Sequence, residues 1–140
     1  MKPIGHFRRG ENYLAMLTPY LLIGLGAFLG ANCRYLVGGW AANLLGAGFP
    51  YGTLIINVSG SFVIGLFLAL ISGRFVTPPG VRLFFAVGFL GAYTTFSTFT
   101  YESLTLLQSR AYLAALIDLL GSVILGMLAV ALGAFVGDLV

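Results

Sequence analysis

The chain has 140 residues, 59% of them apolar and 8% charged, with seven Lys and Arg against four Asp and Glu and a mean hydropathy of +1.02. A water-soluble domain needs roughly a quarter charged residues to cover its surface, so this composition excludes one. One cysteine (Cys33) and one histidine (His6) exclude an internal disulfide and leave no set of side chains for a zinc, haem or iron–sulfur centre. The net charge of +3 comes largely from Lys2, Arg8 and Arg9, which suits anionic lipid headgroups. No aromatic–basic groove for nucleic acid is visible.

Residues 1–18 read as a polar, basic N-terminal extension, and Met16 offers an alternative start. The apolar run behind it is too long for a cleaved signal peptide. Gly30-Ala31-Asn32-Cys33 lacks the small residue that a lipoprotein cleavage site needs before the cysteine, so Cys33 reads as a packing residue. Residues 19–140 then form one transmembrane domain. Charge-free runs cover 12–33, 35–73, 83–101 and 119–137, and a helix spans a bilayer with about 20 apolar residues. The run 35–73 would make a helix on the order of 58 Å long, about twice the hydrocarbon thickness. It must break, and Gly46-Ala47-Gly48-Phe49-Pro50 is the breaking point. Further loop signals lie at 72–80 and near Gln108-Ser109-Arg110. The expected fold is all-α, with membrane spans near 20–40, 51–72, 81–107 and 111–137. A β-barrel is excluded, because the runs are continuously apolar and do not alternate.

Four spans put both termini and the second loop on one side of the membrane, with Lys2, Arg8, Arg9, Arg74 and Arg82. Arg110 and Arg34 face the other side, so the positive-inside rule favours a cytoplasmic N-terminus. Without the extension the count is two against two, the sequence condition for insertion in both orientations and an antiparallel dimer.

Polar groups inside spans are costly and therefore informative. Thr53, Asn57 and Ser61 recur at i, i+4, i+8 and share one stripe of span two. The stripe suits a polar path, which is the reading for Asn57. The hydroxyls serve equally as bonds to a neighbouring helix or to their own backbone. In span three, Gly88-Phe89-Leu90-Gly91-Ala92-Tyr93-Thr94-Thr95-Phe96-Ser97-Thr98-Phe99-Thr100-Tyr101-Glu102 mixes glycine and hydroxyls into an apolar run. A break between Gly91 and Thr95 would free backbone carbonyls, which suit a hard cation. Beyond it, Phe96 and Phe99 share one face, with Thr95, Thr98 and Glu102 on another. Phenylalanine edges carry positive charge that a small anion favours, although paired rings more often fill a core. Glu102 either marks a proton or ion path or equally pairs with Arg34 or Arg82. Asp118, i−4 to Ser122, either marks an ion path or reaches an aqueous vestibule. Gly26-x-x-x-Gly30 and Gly133-x-x-x-Gly137 allow close helix approach and tight assembly.

These residues resemble a known family, the Fluc/CrcB fluoride channels. The resemblance covers about residues 20–137. It rests on Gly26-Ala27-x-x-Gly30-Ala31-x-x-Arg34-Tyr35, on Gly52-Thr53-x-x-x-Asn57-x-x-Gly60-x-Phe62-x-x-Gly65, and above all on Gly88-x-x-Gly91-x-x-Thr94-Thr95-Phe96-Ser97-Thr98-Phe99-x-x-Glu102. It implies a non-enzymatic, multi-pass cell-membrane channel for passive fluoride efflux, built as an antiparallel, dual-topology homodimer with two pores. It also implies a structural sodium ion (Na+) held at the dimer centre by the carbonyls of Gly91 and Thr94. The pore phenylalanines then fall on Phe96 and Phe99, the pore asparagine on Asn57, and the hydroxyl donors on Ser97, Thr98 and Ser122. Arg34, Thr53 and Glu102 form a second tier. Asp118 departs from the pattern, since a neutral polar or aromatic group is expected there and a carboxylate repels an anion. The rival readings are a proton-coupled multidrug exporter, which needs a carboxylate that span one lacks, and a non-transporting assembly subunit, which leaves the glycine-Thr-Thr-Phe run unexplained.

Overall fold

The computed structural model describes residues 9–73 and 78–140. The first eight residues of the extension, and Arg74 in the second loop, lie outside the described residues. Four helical stretches are long and apolar enough to cross a membrane: Ala15–Leu45, Tyr51–Ser72, Pro79–Gln108 and Tyr112–Leu139. They belong to helices α1 (Arg9–Leu45), α2 (Tyr51–Gly73), a divided third span, and α6 (Tyr112–Leu139). The third span consists of a short turn α3 (Pro79–Arg82), a π-helix (Leu83–Leu90), a single turn α4 (Gly91–Tyr93) and α5 (Phe96–Gln108).

Helix α1 starts well before the expected boundary near residue 20 and runs through Pro19. Leu14, Ala15, Met16 and Leu17 are strong helix formers, so the helix extends into the segment that reads as an extension. Gly46 ends it in the left-handed region, with φ 82°, and its N–H bonds to the Ala42 carbonyl at 3.0 Å. Pro50 then starts α2, as the Gly/Pro cluster predicts. Between α5 and α6, the N–H of Ala111 reaches the Leu106 carbonyl at 2.9 Å and that of Arg110 reaches Leu107 at 3.1 Å. This is a Schellman closure. Arg110 occupies its left-handed position (φ 62°), where glycine is the usual residue.

Two helix pairs make up the body: α1 with the π-helix, and α2 with α6. In each, backbone lies on backbone. A Cβ on Gly26 would collide with the Phe84 carbonyl, one on Gly30 with the Phe89 carbonyl, and one on Gly88 with the Ile23 carbonyl. In the second pair, Gly65 abuts the Val130 carbonyl, Gly133 that of Phe62, and Gly137 the Ala69 side chain. The two spaced glycine pairs thus serve close packing within the chain. In lipid, where apolar burial drives little association, such approach supplies dispersion contacts that side chains would prevent.

The π-helix and α4 line up Phe85, Phe89 and Tyr93. Phe85 stacks on Phe89 (centroids 5.4 Å apart, planes 6° apart) and Phe89 on Tyr93 (6.0 Å, 9°). The Tyr93 hydroxyl meets that of Ser59 on α2 at 2.9 Å. Gly60 leaves room beneath, where a Cβ would strike the Thr94 methyl. This column fixes the end of α4 against α2.

Candidate functional site

Thr94 and Thr95 carry the break. Both leave helical geometry, with φ/ψ of −78°/154° and −141°/97°. An unbroken helix would send the Thr95 N–H to the Gly91 carbonyl. It goes instead to Oδ1 of Asn57 at 2.8 Å, while Nδ2 of Asn57 donates to the Thr95 carbonyl at 3.2 Å. One amide therefore satisfies both backbone groups of the residue at the break. Asn57 thereby makes the bond to a neighbouring element and still keeps its second amide N–H for the groove in front of it.

That groove has a volume of about 410 Å³ and brings together Asn57, Ser61, Gly91, Phe96, Phe99 and Ser122, with Thr94 and Thr95 in its wall. Phe99 is 7% exposed and Phe96 78% exposed. Their rings lie 6.0 Å apart and tilted by 54°, so one ring is a buried wall and the other an open flap at the rim. Ser61, from the α2 stripe, faces the same space. Ser97 is exposed and lines neither this groove nor the next.

A second groove, of about 620 Å³, lies behind the break and collects Arg34, Thr53, Thr98 and Glu102 with the Gly46–Pro50 loop. The second tier read from sequence is thus one place. Glu102 shares this groove with Arg34 without forming an ion pair with it or with Arg82. Its Oε2 is buried and has no hydrogen-bond partner.

Asp118 is neither in a vestibule nor open to either groove. It is 0% exposed, caught between α5 and α6, and accepts the Ser103 hydroxyl at 2.5 Å and that of Ser122 at 3.4 Å. Ser103 escaped the sequence reading because its partner lies on the next helix. The link has a consequence for Ser122: a hydroxyl has one hydrogen, and here it points at Asp118 through a long, weak bond that is easily exchanged.

Among the described residues no three His, Cys, Asp or Glu side chains gather to hold a metal. Backbone oxygens are different. The Gly91 carbonyl loses its regular donor to Asn57, and the Thr98 N–H, which would reach Thr94 in an unbroken helix, is not bonded there. The Gly91 and Thr94 carbonyls, on two residues that line one groove, thus lack the donors that a continuous helix would give them.

Residues 21–134 match the family model described as CrcB-like protein, Camphor Resistance (CrcB). A protein of Chloroflexus aurantiacus named "Fluoride-specific ion channel FluC" is 50% identical over 117 residues, 84% of this chain and 93% of its own length. Proteins of the same name from Acidobacterium capsulatum (48% identical; 85% of this chain, 95% of its own length) and Thermus thermophilus (48%; 81% and 89%) are similar to it as well. With four spanning helices and a match over most of its length, the chain is a multi-pass membrane protein of the CrcB-like family.

Proposed function

We propose that the protein is a fluoride-selective channel that conducts the ion passively out of the cell and so relieves fluoride toxicity. The observation that carries this reading is the helix break clamped by Asn57 at the wall of a groove that also holds Phe96, Phe99 and Ser122. Fluoride is small and strongly hydrated, so a pore must replace its water with compact donors that do not hold it. The free amide N–H of Asn57, the exchangeable Ser122 hydroxyl and the ring edges are such donors. The N-terminus of α5, a 13-residue helix, adds positive potential at the same point. The name shared by the relatives points the same way. A proton-coupled exporter finds no support, since the span Ala15–Leu45 holds no acid and Asp118 is occupied by two hydroxyls.

The working unit is an antiparallel homodimer inserted in both orientations, with Na+ at its centre. A groove walled by backbone polar groups is not tolerated open to lipid, and a second copy covers it. Gly91 and Thr94 suit a hard cation through their carbonyls, two from each chain, and oxygen is the ligand that such an ion takes.

The test is fluoride release from liposomes holding the purified protein, read by a fluoride electrode after valinomycin relieves the potassium gradient. We expect rapid fluoride loss with chloride retained. No release from monodisperse protein, or equal chloride release, would return the reading to a non-transporting role. The sodium assignment is tested separately by exchanging all Na+ for N-methyl-D-glucamine. Weakened flux or a weakened dimer is the expected outcome, and indifference would remove the metal.

A further inference from the structure

Thr95 stands in the N-cap position of α5, in the extended geometry from which a threonine hydroxyl ordinarily accepts an N–H of the first turn. It makes no such bond. Its Oγ1 is buried and without any hydrogen-bond partner, in a side chain only 6% exposed. The lapse is not for want of anchoring, because Asn57 holds the backbone of Thr95 on both sides. Valine has the same shape and would carry no penalty for an unpaired hydroxyl. Thr95 is also the residue common to the walls of both grooves, the one with Phe96 and Phe99 and the one with Arg34 and Glu102. Thr95 therefore forms part of the partition between them, with its buried hydroxyl at the positive end of α5.

We propose that the Thr95 hydroxyl is an ion-contacting donor at the junction of the two grooves, bonding the permeating anion as it crosses from one to the other. Its idle hydrogen is the group that the Asn57 clamp presents. In an ion-free chain it has nothing to bond; with fluoride at the junction it replaces one of the waters the ion has shed. The proposal rests on the fluoride reading above and adds to it a contact on the route between the two tiers.

The experiment compares Thr95→Val, which removes only the hydroxyl, with Thr95→Ser, which keeps it, in the liposome efflux assay and in thermal unfolding in detergent. We expect Thr95→Val to lose about tenfold or more in fluoride flux, the cost of one missing donor, while unfolding at the same or a higher temperature than the parent. Thr95→Ser should stay within about threefold of the parent in flux, since the donor survives. A structural role predicts the reverse for Thr95→Val: lower stability and unchanged flux. Parental flux in Thr95→Val would overturn the proposal. So would equal losses in both variants, which would assign the effect to the methyl group, and so would a Thr95→Val protein that fails to fold, since an unpaired hydroxyl cannot be what holds the fold. If the parent itself passes no fluoride, the channel reading falls, and that outcome is distinct from a conducting parent with an indifferent Thr95.

Discussion

Gly30→Ala should yield little folded protein, although it adds a single methyl group in the middle of a helix. The obstacle is the Phe89 carbonyl and the backbone on either side of it, and a carbonyl in a helix cannot rotate aside as a side chain would. Overpacking costs typically 1–3 kcal/mol where side chains can yield; here we expect ~3 kcal/mol or more, because α1 and the π-helix must separate. The matched control is Gly24→Ala, on the same helix with nothing within 4 Å of the added atom. That change should be neutral or stabilising by up to ~1 kcal/mol, since alanine is the better helix former. Size-exclusion profiles and unfolding temperatures in detergent separate the two. Equal stability of both variants would mean that the two helices are not in contact.

Asn57→Leu should cost ~2–5 kcal/mol of stability, because it orphans the N–H and weakens the satisfaction of the carbonyl of Thr95 in a part-buried place, at about 1–3 kcal/mol for each buried group left unpaired. Its flux should fall by about 100-fold or more, since the break loses its clamp and the groove its amide donor. Asn57→Asp separates these effects. Its carboxylate still accepts the Thr95 N–H, so the protein should unfold closer to the parent than Asn57→Leu. Its flux should nonetheless be as low, because a negative charge now stands where an anion has to pass. Flux near the parental level in the aspartate variant would take Asn57 out of the pathway.

The spans and the break were legible because each leaves a local mark. Charge-free length gives the helices, and the Gly46–Pro50 cluster gives the first turn. Glycine with consecutive threonines gives the interruption at Thr94 and Thr95. The π-helix left no mark: Leu83–Leu90 is LFFAVGFL, and an uninterrupted apolar run carries no polar residue to reveal its period. The start of α1 at Arg9 was not legible, because composition, which sets the span, does not set where a helix begins. The clamp was equally hidden. Asn57 and Thr95 are 38 positions apart, and a side chain that binds backbone gives no pairwise signal in residue types. For Asp118 the deciding fact was tertiary, since only the packing of α6 on α5 brings Ser103 to its carboxylate. Thr95 did offer a clue, being a threonine at the last position of the break, just before α5.

The division of the third span also has a mechanical side. Its first half, the π-helix, packs on α1 through glycine contacts that leave no room for a side chain, while α5 is tied to α6 by Ser103 and Asp118. The two halves thus take their tightest contacts on different helices, and the peptide units of Thr94 and Thr95 are the non-helical joint between them. When bilayer thickness departs from helix length, the resulting strain, fractions of a kcal/mol per Å, is not shared evenly along the span. It collects at that joint, where a single asparagine side chain acts as the spring.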